Sequence, residues 1–89
     1  MHLYLGQNTV ISTKDVIGIF DLENTTTSKH TRDFLAKSQK SGKIIEITED
    51  LPKSFVICKQ GNNINVYLSQ ISPTTLKKRT GFLTEFADL

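Results

Sequence analysis

Lys53-Ser54-Phe55-Val56-Ile57-Cys58-Lys59 restricts the fold more than any other stretch, because its apolar residues occupy both parities of a strand. A strand that is apolar on one parity needs cover on one side. One that is apolar on both needs cover above and below, and it reads as an interior strand. Gln60-Gly61-Asn62-Asn63 follows, rich in residues that tolerate positive φ, so the spacing predicts that the chain turns back there. Ile64 to Ser69 then alternates, with Ile64, Val66 and Leu68 on one face and Asn65, Tyr67 and Ser69 on the other. Ser72-Pro73-Thr74-Thr75-Leu76 reads as a helix start. Ser72 can accept from the free amides of the first turn, and Pro73 sits where a missing N–H costs nothing. That helix carries Lys77-Lys78-Arg79, the densest charge in the chain. A covered hairpin is thus predicted to present a basic helix.

The rest of the chain supplies further strands and a second helix. His2-Leu3-Tyr4-Leu5 alternates and stops at Gly6-Gln7-Asn8, a short strand and a turn. Val10 to Phe20 reads as extended, with a bend at Ser12-Thr13-Lys14-Asp15. Its second half, Val16-Ile17-Gly18-Ile19-Phe20, is apolar on both parities and is expected to be a second interior strand. Gly18 within it signals a bulge or the close approach of another backbone. A helix is placed at about 28–40, capped by Thr26, Thr27 or Ser28. Phe34 and Leu35 form its stripe, with Thr31 and Ser38 a turn to either side. The stripe is thin, so packing against the sheet rather than propensity must hold this helix. Lys37 and Lys40 suit its C-terminal end, and Gly42 follows as a left-handed cap. Lys43 to Thr48 is a further strand signal, and Pro52 keeps Leu51 out of helical geometry. The last helix either continues past Gly81, since Leu76, Leu83 and Phe86 share helical spacings, or breaks there. The order predicts one α+β domain over 1–89: a small mixed, mostly antiparallel sheet, a helix after the second strand run, and a C-terminal helix.

A chain of 89 residues has room for one core and buries only about 60% of its unfolded surface, so self-association would add stability. No stretch approaches the roughly 18 apolar residues of a membrane span, and no N-terminal apolar run resembles a secretion signal. A single cysteine excludes an intramolecular disulfide. These features lead to the expectation of a cytoplasmic protein without membrane contact.

The net charge is only +2, but it is unevenly distributed. Residues 25–48 set Lys29, Arg32, Lys37, Lys40 and Lys43 against Asp33 and Glu46, whereas residues 1–24 set Lys14 against Asp15, Asp21 and Glu23. Such asymmetry permits a basic face for an anionic partner. Lys77, Lys78 and Arg79, supported by Lys53 and Lys59, are the candidate DNA-contacting residues, suited to phosphates rather than to base reading. The competing reading is a solvated helix surface whose cations favour its last turn. Lys29, Arg32, Lys37 and Lys40 read as an ordinary exposed helix face, and Tyr67 as a sheet tyrosine rather than a base-stacking platform.

The chemistry inventory excludes most enzyme classes. Cys58 lies in a covered strand and reads as a small hydrophobe. His2 and His30 have no cysteine or histidine at metal-ligand spacing, so no metal site is expected. Glu49-Asp50 has no plausible acid or base partner, and no glycine-rich phosphate loop occurs. No enzyme activity, cofactor or small-molecule substrate is expected.

Three motifs together carry a resemblance: Ser12-Thr13-Lys14-Asp15-Val16-Ile17-Gly18-Ile19-Phe20-Asp21, then Pro52-Lys53-Ser54, then Leu76-Lys77-Lys78-Arg79. In this order they resemble the RemA/RemB family of short bacterial extracellular matrix regulators, from about Leu3 to Phe86. The resemblance implies a fold akin to LytTR-type DNA-binding domains, a ring-like homo-oligomer, and DNA binding in the control of biofilm matrix genes. Two positions depart from the RemA branch. Its adjacent arginine pair before the strand matching Phe55–Cys58 is replaced here by Asp50-Leu51, leaving Lys53 as the matching base. An arginine tied to its assembly is replaced by Asp15. The expectation is therefore an oligomeric DNA-binding regulator. Its alternative is an oligomeric scaffold or protein-interaction module of the same fold that does not bind DNA.

Overall fold

The computed structural model describes residues 1–22 and 28–80. Six strands run β1 (His2–Gly6), β2 (Thr9–Ser12), β3 (Val16–Asp21), β4 (Ile44–Glu46), β5 (Ser54–Gln60) and β6 (Asn63–Ser69). Helix α1 (Lys29–Lys40) lies between β3 and β4, and α2 (Pro73–Thr80) follows β6. β1 and β2 form an antiparallel ribbon, and the other strands form a sheet in the order β3-β5-β6-β4. β3–β5 and β5–β6 are antiparallel, whereas β4 runs parallel to β6. The result is the mixed, mostly antiparallel α+β architecture that the sequence predicts.

β5 is the interior strand expected of it, but β3 is not. β3 pairs with β5 alone and forms one edge of the sheet. Apolar residues on both parities report cover above and below a strand, not a neighbour at each side. Ile19 of β3 enters the core on one face, while Phe20 stacks on Phe55 on the other, with ring centroids 5.0 Å apart. Gly18 marks a bulge, because Val16 lies opposite Cys58 and Gly18 opposite Ile57, leaving Ile17 as the extra residue. A Cβ at Gly18 would come within 2.6 Å of the Phe20 ring, so the glycine is also what lets that ring lie down. The bend before β3 is a 3-10 turn at Thr13–Asp15.

The cross-strand registers Ile19↔Val56↔Tyr67 and Ser54↔Ser69 define one face of the sheet. Against it lie Leu3 and Leu5 of β1, Ile11 of β2 and Leu76 of α2, which together with Ile19, Val56, Cys58 and Tyr67 make the core. Tyr67 and Ser69 belong to the more polar parity of β6, yet they face this deeper side. Their polar atoms are satisfied there: Tyr67 Oη donates to Gln60 Oε1 (3.2 Å), and Ser69 Oγ donates to the carbonyl of Leu5 (2.8 Å). Ser69 Oγ also accepts from Ile71 N–H (3.1 Å), and Ser54 Oγ donates to Ile71 C=O (2.8 Å). Both serines are fully buried.

The opposite face, with Phe20, Phe55, Ile57, Val66 and Leu68, is the side on which α1 lies, and α1 covers it only in part. Thr31 and Phe34 line one gap with Phe20, Phe55 and Ile57, and Leu35 lines another with Ile44 and Leu68. Ser28 precedes α1 in extended geometry without a side-chain cap bond, and the alternative caps Thr26 and Thr27 lie outside the described residues. The C-terminal end of α1 closes as the sequence predicts. Gly42 has φ +70°, its N–H donates to Gln39 C=O, and Lys43 N–H donates to Ser38 C=O, the paired bonds of a Schellman motif. Lys43 C=O then accepts from Val66 N–H, which delivers the chain into parallel pairing with β6.

Cys58 is fully buried in the core. Burial pushes its thiol up from 9.0 to about 11, with the Asp15 carboxylate adding to the shift. Three measurements check this account of the core. Ser69→Ala strands the Leu5 carbonyl and the Ile71 amide, and should lower stability in denaturant melts by about 1–3 kcal/mol. Cys58→Ser should cost a similar amount, about 1–3 kcal/mol, and native Cys58 should resist thiol reagents until the chain unfolds. Since the folded thiol holds its proton more tightly than the unfolded one, stability is intact below pH 9.0 and falls as pH rises toward about 11. Cys58→Ser should remove that component of the pH profile.

Candidate nucleic-acid interface

Helix α2 is built as a platform. Ser72 Oγ accepts from Thr75 N–H (3.3 Å), the N-terminal cap that the sequence predicts, and Pro73 opens the first turn. Leu76 and Thr80, four residues apart, are buried beneath it. Thr80 Oγ1 donates to Lys77 C=O (2.7 Å) and tightens the last turn. With Leu76 pointing inward, steps of 100° per residue put Lys78 on the outward crest and Lys77 and Arg79 on its two flanks. Lys78 and Arg79 are exposed and Lys77 is half-buried. A flat or convex anion can meet Lys78 and one neighbour together, but not all three. The continuation of the helix beyond Gly81, with Leu83 and Phe86, lies outside the described residues.

The two supporting lysines are separated by the sheet. Lys53 N–H donates to Ser69 C=O (2.8 Å), so its backbone sits at the end of the sheet from which the chain enters α2. Lys59 lies six residues along β5, about 20 Å away at the rise of a strand. It also stands on the other face, since it is in phase with Phe55 and Ile57 and lies opposite Ile64. Lys53 is thus placed near the α2 entry, whereas Lys59 belongs to the α1 side.

The second basic group behaves as an exposed helix face: Lys29, Arg32, Lys37 and Lys40 are all exposed on α1. Before Lys53, Glu49 and Asp50 are exposed beside an open concavity of about 510 Å³ that also takes in Glu46 and Leu51. This loop is ordered by Thr48, whose Oγ1 accepts from Asp50 N–H (3.0 Å) and donates to Gln70 Oε1 (2.9 Å). His2 and His30 are exposed, and no group of three or more His, Cys, Asp or Glu is placed to hold a metal among the described residues. No helix among them is long and apolar enough to cross a membrane.

One feature escaped the sequence reading. Phe34, assigned to the packing stripe of α1, is 36% exposed, and Phe20 beside it is 37% exposed. Together with Phe55 and Ile57 they line a groove of about 220 Å³ between α1 and β3. The sequence signal was the thinness of that stripe, which cannot close over the sheet face beneath it.

The chain is 38% identical over 85 residues to extracellular matrix regulatory protein B of Bacillus subtilis (strain 168), covering 96% of each chain. Residues 3–80, which take in every described helix and strand except His2 at the start of β1, match the sequence model of the RemA-like family, extracellular matrix regulatory protein A-like. The basic α2, its capped entry and the bulged β3 are therefore features of a protein that belongs to the RemA-like family of extracellular matrix regulators.

Proposed function

We propose that the protein is a cytoplasmic, self-associating transcriptional regulator of matrix genes that binds DNA through its phosphates. The observation that carries this reading is the construction of α2. Its inner side is fixed by Leu76, Thr80 and the Ser72 cap, and its outer side fans out Lys77, Lys78 and Arg79. Lys53 stands where the chain enters that helix and adds a fourth cation. Such a surface positions a duplex without reading bases. One domain offers only a few phosphate contacts, so useful affinity comes from several domains acting together at high effective concentration. Self-association is supported by the apolar residues left uncovered on one domain, among them Tyr4, Val10 and, 58% exposed on the β3 edge, Ile17. Residues 10–20 are its proposed contact region.

A second reading keeps the fold and the assembly but not the DNA. It is favoured by Glu49 and Asp50, exposed just ahead of Lys53, where they oppose a phosphate backbone. The basic helix would then serve an acidic protein surface.

A gel-shift series at several salt concentrations decides between them. Binding should weaken steeply with salt, with a log–log slope of about −0.9 per phosphate contact. Lys77→Ala combined with Lys78→Ala should weaken binding on all sequences alike and reduce the slope by about 2 per bound subunit, while leaving the oligomer intact. Lys29→Ala with Arg32→Ala should do much less. If the wild-type protein shifts no DNA even in low salt, the scaffold reading holds. In sedimentation at micromolar concentration the protein should run well above the 10.0 kDa of a single chain, and a monomer there would refute self-association.

A further inference from the structure

The groove between α1 and β3 is an apolar surface that nothing among the described residues covers. Its floor is the Phe20–Phe55 stack with Ile57, its wall is Phe34, and His30 stands at its rim. At about 220 Å³ it has room for one aromatic side chain. The connection 23–27, which joins β3 to α1, reads Glu-Asn-Thr-Thr-Thr and has no apolar residue to place there. On α1 and β5 the charges that flank the groove are Lys37, Lys59 and Asp33, while Asp21 follows Phe20 on the opposite face of β3. Lys37 is one turn beyond Phe34 on the flank of α1 that carries His30, and Lys59 is two residues beyond Ile57 on the same strand face. Asp33 is the one carboxylate on that flank of α1. The surface fits a short segment that brings an aromatic anchor together with negative charge.

The chain contains one such segment. Residues 81–89, Gly-Phe-Leu-Thr-Glu-Phe-Ala-Asp-Leu, combine Phe82, Leu83, Phe86 and Leu89 with Glu85 and Asp88, and contain no basic residue. It departs from Thr80 of α2, which packs on the opposite face of the sheet from the groove. The point of departure is thus across the sheet from the chain's own groove. We infer that the groove between α1 and β3 of one copy receives residues 81–89 of the next, with Phe86 as the anchor and Glu85 and Asp88 facing Lys37 and Lys59. This rests on the self-association reading above and gives it a joint: each copy contributes one groove and one tail, so the contact is head-to-tail.

Complementation tests it with the full-length chain. Phe34→Asp destroys the groove and leaves the tail, and Phe86→Asp does the reverse. Sedimentation at micromolar concentration should show each variant alone as a smaller species than the wild type. An equal mixture should run larger than either variant alone, because it holds one usable joint per pair. Resistance of Cys58 to thiol reagents in both variants verifies that the fold is intact. The exposed-site variant Lys59→Glu should weaken assembly, and Glu85→Lys in the same chain should restore it. If the wild type assembles and Phe86→Asp assembles equally, self-association stands and the tail joint is wrong. The joint is equally refuted if the mixture runs no larger than the variants alone. A monomeric wild type removes self-association and the joint together.

Discussion

Two buried hydroxyls hold the layers of this domain in relation to one another. Ser54 and Ser69 lie opposite each other on adjacent strands, both fully buried. Ser69 grips the β1 ribbon through Leu5 C=O, and both serines grip Ile71, the last residue before the Ser72 cap. Formed hydrogen bonds of this kind add little net stability, but an unmade one in such a place is costly. The asymmetry makes the pair a device of specificity: only one placement of the ribbon and one entry angle for α2 leave no polar atom stranded. The direction in which α2 presents its cations follows from that entry.

Much of this was legible where a residue's local physics decides the outcome alone. Ser72-Pro73 can hardly be anything other than a helix start, Gly42 after Lys37 and Lys40 a helix stop, and Gly18 within an apolar run signals a bulge or a close backbone approach, of which the bulge is found. In each case the backbone requirement sits in one or two residues. The edge position of β3 was not legible, because a strand's side chains respond to the layers above and below it, while lateral neighbours are met by backbone groups that every sequence shares. The burial of Ser54 and Ser69 was hidden for a related reason. A serine on the polar parity of a strand, like Ser69, or at a strand's end, like Ser54, looks like a solvent-facing one until the groups that satisfy it, Leu5 and Ile71, are brought in from 64 and 17 residues away.

The candidate site divides along the same line. Lys77, Lys78 and Arg79 are adjacent in sequence, and their fan around α2 follows from helical geometry alone. Grouping Lys53 with Lys59 required knowing how far apart the two ends of β5 lie and which face each end shows. Charge counted along a sequence overstates a surface whenever the residues are distributed along a strand. What remains at α2 is three cations fanned around one helix, with Lys53 at its entry and the exposed Glu49 and Asp50 just ahead of Lys53 in the chain.

The bulge in β3 has a consequence for how copies of this domain can grow together. An edge strand offers unpaired backbone groups as a template for another strand, and long flat edges invite indefinite stacking. Here one edge is broken by the extra residue Ile17, which throws the register between Val16 and Gly18 out of step, and the other edge, β4, is only three residues long. Neither can seed a continuous ladder. The four-stranded sheet can therefore leave apolar side chains uncovered without its edges templating a ladder, and growth along it must be negotiated side chain by side chain.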